Sequence, residues 1–516
     1  APFLDGTLHL ADLFTAHNVH HIFTTRILAL GLLVINGIWN PLLQMVVSAG
    51  VHIATVILLI ILLLRVVGNK YTSIFLFFSA FLFSIPYDWE NTLAGFQTQF
   101  YFLVLFSVIS LWYTTNNKLF SSRWWIGTGA AVIAFLSFGS GIFVFASQAF
   151  IGVVFYLLGL RKTKEQVIAT VIPIIGFLLG IMLTPLAETN TKTALFFIRG
   201  FLKVFSWPLG TFVNIFDWHL GIYLFLALLC NFPVVLFIVL MFWKRPQTTD
   251  RRWFLMSLVI WSFGQNLSIA FGRGAIAPRY MSLFVLLLLL NFVCFITLPE
   301  FFASSSTRWI TRVAGIWFLI MLLSLVYYSV RFVPQQLAEK KETGILQESN
   351  IRNYLLTSDL AYLENKPFLH IPYPSAERLA LILESDAVRS ILPSNIREPI
   401  GYIFVEEIPD GQFTFSDCCY PETPKWGYDA FGSYGEEGDV TTGVITAEFD
   451  FNNSHSPWVK IPVAGYPLSR DMKLEIEKNG ERILIPLARN PRDTWREVNV
   501  KVGEGEFSIR LTDQSS

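Results

Sequence analysis

The sequence predicts an all-α polytopic membrane domain followed by a C-terminal β-sandwich domain. Three observations carry that reading. The 516 residues are 53% hydrophobic but only 15% charged, against about 25% charged in an ordinary soluble chain. Long apolar runs fill residues 27–330 and stop there. From residue 401 the pattern changes to short β-type runs broken by turn residues.

A membrane crossing needs about 20 mostly apolar residues. Runs of that kind lie at 41–64, 93–112, 142–160, 166–184, 219–242, 253–271, 280–298 and 309–330. Two shorter runs, 72–85 and 125–138, bring the expected number to about ten. Lys and Arg accumulate on the cytoplasmic side of spans. The basic loops are Arg65–Lys70, Lys118–Arg123, Arg161–Lys164, Lys244–Arg252 and Arg308. Placing them inside puts the loops 86–92, 139–141, 185–218 and 272–279 outside, and the alternation requires both shorter runs to cross. Both chain ends then fall outside. The first residue is Ala, so either a removed leader or a missing N-terminal span is expected before it.

The composition also excludes some functions. Lys plus Arg and Asp plus Glu number 38 each, so the net charge is zero and no nucleic-acid partner is expected. No GxxxxGK[ST] or strand-linked GxGxxG occurs, which argues against a nucleotide-driven mechanism. Cys230 and Cys294 lie in apolar runs and Cys418 and Cys419 are adjacent, so no disulfide framework is expected.

The unusual polar clusters fall on the expected outer face. Residues 1–40 read as an outer loop with interfacial helices. It carries Asp5, Asp12, His17, His20, His21 and Arg26. On a helix the three histidines would share one face, with an apolar face opposite, as in a helix lying in the interface. They suit anion binding, acid–base work or a divalent metal ion, the last without a clearly placed carboxylate ligand. The second cluster is Tyr87-Asp88-Trp89-Glu90-Asn91, with Gln97 and Gln99 deeper in the following span. Carboxylates and amides at that depth mark functional cavities; the structural alternative is a solvated loop with Trp89 in the aromatic belt. The third is Gly272-Arg273-Gly274 with Arg279-Tyr280. Its arginines suit phosphate binding or headgroup contact, and Gln265 and Asn266 precede it. Gly139-Ser140-Gly141 reads as a tight turn, and 194–206 as an amphipathic interfacial helix bearing Arg199 and Lys203. Together these clusters suit a base that activates an acceptor and cations that stabilise a departing phosphate.

Residues 331–400 read as a partly helical connector, helical at 335–349 and 376–384. Strands are expected at 401–406, 441–450, 457–464, 472–478, 482–487, 496–501 and 505–511, an antiparallel pattern. Trp426, Tyr428, Tyr434 and Trp458 suit either sugar stacking or the core.

The layout resembles the bacterial GT-C class of membrane glycosyltransferases, which take sugars from polyprenyl-phosphate carriers. It is similar in particular to a group whose pattern runs HNEHR, WENxxxGFQ and GRG…RY before a sandwich domain. Here these stand as His17-Asn18-Val19-His20-His21, Trp89 to Gln97, and Gly272-Arg273-Gly274 with Arg279-Tyr280. The first motif departs at Val19 and His21. The resemblance covers most of the chain and implies an inverting transferase in a bacterial cytoplasmic membrane, with the C-terminal domain on the outer face. It implies a polyprenyl-phosphate-linked sugar as donor and a glycan, lipid or protein as acceptor. Asp12 or Glu90, backed by Asp5 and Asp88, would be the base. His17, His20, His21, Arg26, Gln97, Arg273, Arg279 and Tyr280 would contact the lipid phosphate or substrate. The rival expectations are a flippase for a lipid-linked glycan and a non-catalytic assembly protein.

Overall fold

The structure is a computed structural model. It describes the chain except residues 1, 5, 18–19, 186–192, 214–219, 274–275, 303, 368, 394–395, 397–413, 417–429, 433–441, 451–457, 486, 488, 503–504 and 515–516. The chain divides into two compact units. One is Gly6–Ala338; the other is Glu339–Ser516 with residues 1–5.

The first unit is a bundle of helices. They are α1 (Phe23–Asn36), α2 (Pro41–Leu64), α3 (Thr72–Ser84), the single turn α4 (Trp89–Thr92), α5 (Thr98–Asn116), α6 (Ser122–Ser137), α7 (Ile142–Leu157), α8 (Lys164–Leu183), α9 (Ala194–Ser206), α10 (Leu220–Lys244), α11 (Arg252–Gly272), α12 (Met281–Thr297) and α13 (Ser304–Arg331). Among the described residues, eight helical stretches are long and apolar enough to cross a membrane, and they match the eight long runs read from the sequence. The chain is thus a multi-pass membrane protein. The two shorter runs are also helical. At 13 residues for α3 and 16 for α6, they rise only about 20 and 24 Å, short of a hydrocarbon layer of about 30 Å.

Burial sorts these helices. Residues 283–297 of α12 are all buried, as expected of a helix apolar all round. Phe292 of α12 packs on Phe78 of α3 and Phe318 of α13, and Phe295 packs on Trp317. In contrast, the most apolar stretches of α2 and α8 are only 28% buried, and their open faces carry Leu42, Val46, Ile53, Ile57, Val171 and Leu178. Apolar faces that large belong against lipid.

The basic loops gather at one end of the bundle. Arg251 donates to the Arg65 carbonyl at 3.1 Å, Arg65 lies 5.2 Å over Trp112, and Arg161 donates to Thr248. Arg252 and Asp250 pair there as well; burial pushes the Asp250 carboxyl up, but the Arg252 bonds outweigh it and hold it below its usual range.

One sequence expectation gives way. Among the described residues of 9–21 no histidine-bearing helix forms. Leu10–Phe14 is a 3-10 turn, and His17 and His20 exchange backbone hydrogen bonds at 2.8 and 3.1 Å. Arg26 explains this, because its Nη1 takes the carbonyls of Asp12, Leu13 and Thr15, which a continuing helix would need for itself. The 194–206 helix forms as α9, with one face packed on the bundle. Its Phe197 packs on Phe271 and its Phe205 on Phe263, and Asn231 of α10 donates to the Phe205 carbonyl at 2.7 Å.

The second unit begins within α14 (Val333–Thr357) and continues with α15 (Ala376–Glu384) and α16 (Asp386–Ile391). Ile351, Tyr354, Leu363, Leu379 and Leu383 form a small core there. The strands are β1 (Thr414–Ser416), β2 (Ala430–Gly432), β3 (Gly443–Asp450), β4 (Trp458–Gly465), β5 (Met472–Lys478), β6 (Glu481–Leu484), β7 (Arg492–Lys501) and β8 (Glu506–Asp513). They make an antiparallel sheet ordered β3-β8-β5-β6 and the pairs β4-β7 and β1-β2. Val459, Val463, Leu474, Ile476, Val498, Val500 and Phe507 share one core, so the four-stranded sheet and the β4-β7 pair pack on each other. The 401–406 strand and Trp426, Tyr428 and Tyr434 lie outside the described residues.

Candidate functional site

The WENTLAGFQ stretch is built to hold its own shape. Asp88 precedes the turn α4, whose residues bond back to it: Asn91 N donates to the Asp88 carbonyl at 2.8 Å. Gly95 lets the chain press on α2, where a Cβ would stand 2.7 Å from the Gln44 side chain, and Gln44 donates to the Gly95 carbonyl at 3.0 Å. Thr98 bonds both that carbonyl and Ser48.

Each polar side chain of the turn has a distinct task. Asp88 Oδ2 accepts from the Tyr101 hydroxyl at 3.2 Å. Trp89 Nε1 donates to Gln336 at 3.0 Å. Glu90 Oε2 accepts from the backbone N–H of Arg279 at 3.2 Å, and its Oε1 stands 3.4 Å from Arg279 Nη1. Asn91 Nδ2 donates to the Arg279 carbonyl at 2.9 Å. The turn Pro278–Tyr280 is thus grasped by Glu90 and Asn91 on either side of one residue, Arg279. Gln97 accepts from Gln99 at 3.0 Å.

An aromatic chain links this clasp to the N-terminal segment. The buried Tyr280 lies 6.0 Å from Phe100, Phe100 lies 4.7 Å from Phe138, and Phe138 stacks on the His20 ring at 4.0 Å. Burial, then the charges of Arg273, His17 and His21, push the His20 imidazole down to about 4. His17, edge-on to Phe96 at 5.2 Å, is lowered by burial and by Arg26. His20 is therefore a neutral ring near Arg273. The Arg273 side chain is exposed and has no hydrogen bond or ion pair among the described residues. Its backbone N–H closes α11 on the Ile269 carbonyl.

Other expected residues serve the framework. Asp12 Oδ2 caps its own turn on the His9 N–H at 2.8 Å. Arg26 is occupied by the three carbonyls described above. His21 faces two carbonyls, Phe14 at 2.9 Å and Leu183 at 3.2 Å. Gln265 clamps the Gly139–Gly141 turn by accepting from the Ser140 hydroxyl and donating to the Ser140 carbonyl at 2.9 Å. Asp5 and Gly274 lie outside the described residues. No three His, Cys, Asp or Glu side chains among the described residues stand together as a metal site.

The structure thus brings His17, His20, Arg273, Tyr280, Arg279, Asp88, Glu90 and Asn91 to the bundle end opposite the basic loops. Several buried polar atoms there have no partner among the described residues: His20 Nδ1, Asn91 Oδ1, Gln99 Oε1 and Asn266 Oδ1. Buried polar atoms are ordinarily paired, so these four stand out from the rest of the bundle end. A groove of about 450 Å³ between α9 and α10, in contrast, is lined by Phe197, Phe201, Leu220 and Leu224 and offers only apolar contact.

Sequence reasoning missed His52, whose ring lies 4.4 Å from the Tyr101 ring, and Tyr101 itself. The available signal was an ionisable residue inside the apolar run 41–64. No family model matches the chain, and neither the curated proteins nor the solved structures gave a match.

Proposed function

We propose that this chain is a GT-C-type membrane glycosyltransferase that moves a sugar from a polyprenyl-phosphate carrier to a glycan, lipid or protein acceptor. The observation that carries the reading is the pairing of chemistry at one bundle end. Arg279 is braced by Glu90, Asp88 precedes the same turn, and the exposed Arg273 stands beside the neutral imidazole of His20. Transfer needs a cation beside the leaving phosphate and a carboxylate beside the incoming hydroxyl. In this reading the site faces the outer side of a bacterial cytoplasmic membrane, opposite the basic loops. The C-terminal β domain belongs on that same outer side.

The test is a transfer assay with purified protein in detergent, labelled polyprenyl-phosphate sugars and a mixed pool of membrane glycans, with and without chelator. Label reaching an acceptor, and lost in Arg273→Ala, supports the enzyme. Tight carrier binding with no transfer from any donor would point instead to transport or assembly.

A further inference from the structure

The three described carboxylates at the site end differ in how much of each is already committed. Asp12 has one oxygen on its own turn and belongs to the segment that Arg26 pins. Glu90 has both oxygens on Arg279, one on the guanidinium and one on the backbone. Asp88 accepts one neutral hydroxyl on Oδ2, and its Oδ1 has no hydrogen bond among the described residues.

The hydroxyl that holds Asp88 is itself held. Tyr101 is 2% exposed, and its OH also lies 3.3 Å from Thr92 Oγ1. Its ring faces His52, with centroids 4.4 Å apart and planes at 54°. His52 is the sole ionisable side chain of α2, and its ring also packs edge-on to Phe83 at 6.3 Å. An ionisable group inside an apolar span is costly and is retained where it serves function. A carboxylate fixed on one oxygen by an immobilised hydroxyl, with the other oxygen open, is the arrangement a positioned base requires.

We propose that Asp88 receives the proton of the acceptor hydroxyl and that Tyr101 and His52 are positioning residues for it, while Glu90 positions Arg279. This rests on the transferase reading. In the step, the acceptor O–H proton passes to Asp88 and the acceptor oxygen bonds to the sugar's anomeric carbon. The bond from that carbon to the phosphate oxygen breaks, its electron pair stays on the phosphate beside the arginines, and Asp88 then returns the proton to water. Glu90 accepts no proton; it keeps the Pro278–Tyr280 turn in place to receive the phosphate.

The experiment is steady-state transfer of label from a polyprenyl-phosphate sugar by the wild type, Asp88→Asn, Asp88→Glu, Tyr101→Phe, His52→Phe and Glu90→Gln, each checked by size exclusion. Asp88→Asn should lower kcat by about a thousandfold with donor KM within about twofold, and Asp88→Glu should restore part of it. Tyr101→Phe and His52→Phe should each lower kcat by about tenfold with little change in KM, as loss of positioning does. Glu90→Gln should act mainly on donor KM. The proposal is overturned if Asp88→Asn turns over within threefold of wild type, or if Tyr101→Phe changes KM alone. If Asp88→Asn does not fold, the Asp88→Glu and Tyr101→Phe results decide in the same way. A wild type that transfers no label fails the transferase reading itself, a result separate from an active enzyme indifferent to Asp88.

Discussion

Glu90 and Arg279, 189 positions apart, meet through two contacts on one residue: the carboxylate takes the Arg279 backbone N–H at 3.2 Å and faces its guanidinium at 3.4 Å. Asn91 closes the other side of the same residue through its carbonyl. The WEN and RY motifs are therefore one structural element. A change in either should be felt by the other.

Asn91→Ala should be the costlier change in this clasp. Asn91 is fully buried, and its loss leaves the Arg279 carbonyl without its donor, a cost of about 1–3 kcal/mol. Glu90→Gln should cost less than about 1 kcal/mol, because the pair is partly exposed and the amide oxygen can still accept the N–H. Thermal unfolding in detergent separates the two; equal shifts would mean that Asn91 is not the strut.

Gly141→Ala should destabilise severely. A Cβ there would sit 2.4 Å from the backbone of Ala134 and Phe135, which cannot yield as a side-chain tip can. Overpacking of this kind costs about 1–3 kcal/mol or more and would displace the Ser140 turn held by Gln265. Gly221→Ala, with nothing within 4 Å inside α10, is the control and should not lower melting. Similar melting for both would show that the turn tolerates movement.

The sequence made the membrane helices legible because lipid imposes one demand on all of them, a run of about 20 apolar residues. Strands β3, β4, β5 and β8 were legible for a similar reason, since alternating residues bounded by turns such as Asn479-Gly480 leave few alternatives. The site was legible only as a set of separate clusters. Nothing near Glu90 announces Arg279, and nothing near Arg26 shows that its guanidinium takes carbonyls 11 to 14 residues back. That clamp is what turned an expected histidine-bearing helix into the His17–His20 bridge. Tyr101 and His52 were hidden differently: each sits in an apolar run, where an aromatic ring reads as core.

The stability of the N-terminal segment should fall on mild acidification. The His20 ring is held at about 4 by burial and by Arg273, against about 6.5 in the unfolded chain. Between those values the unfolded state binds the extra proton, so stability rises with pH through this window. It is complete above about pH 6.5 and is lost as pH falls towards 4. His17, also lowered, acts in the same direction. Melting at pH 7.5 and pH 5 should differ more for wild type than for His20→Phe, which keeps the stack on Phe138. Parallel losses in both proteins would remove His20 as the cause.

The buried amide pair of Asn231 and Asn291 should show strong coupling. Asn231 Nδ2 bonds the Phe205 carbonyl at 2.7 Å, tying the end of α9 to α10, and Asn291 Nδ2 reaches Asn231 Oδ1 at 3.2 Å. Asn291 Oδ1 in turn accepts from Val234 N at 3.4 Å, one residue past Pro233, which has no N–H to offer. Interhelical hydrogen bonds of this kind contribute about 0.6–1.7 kcal/mol within a membrane. Replacing one Asn by Leu strands the partner amide as well, whereas replacing both removes that orphan. The double variant Asn231→Leu/Asn291→Leu should therefore cost less than the sum of the two single changes, by about 1 kcal/mol in a double-mutant cycle. Strict additivity would mean that the two amides stabilise the bundle independently, each through its own helix carbonyls at Ala227 and Leu287.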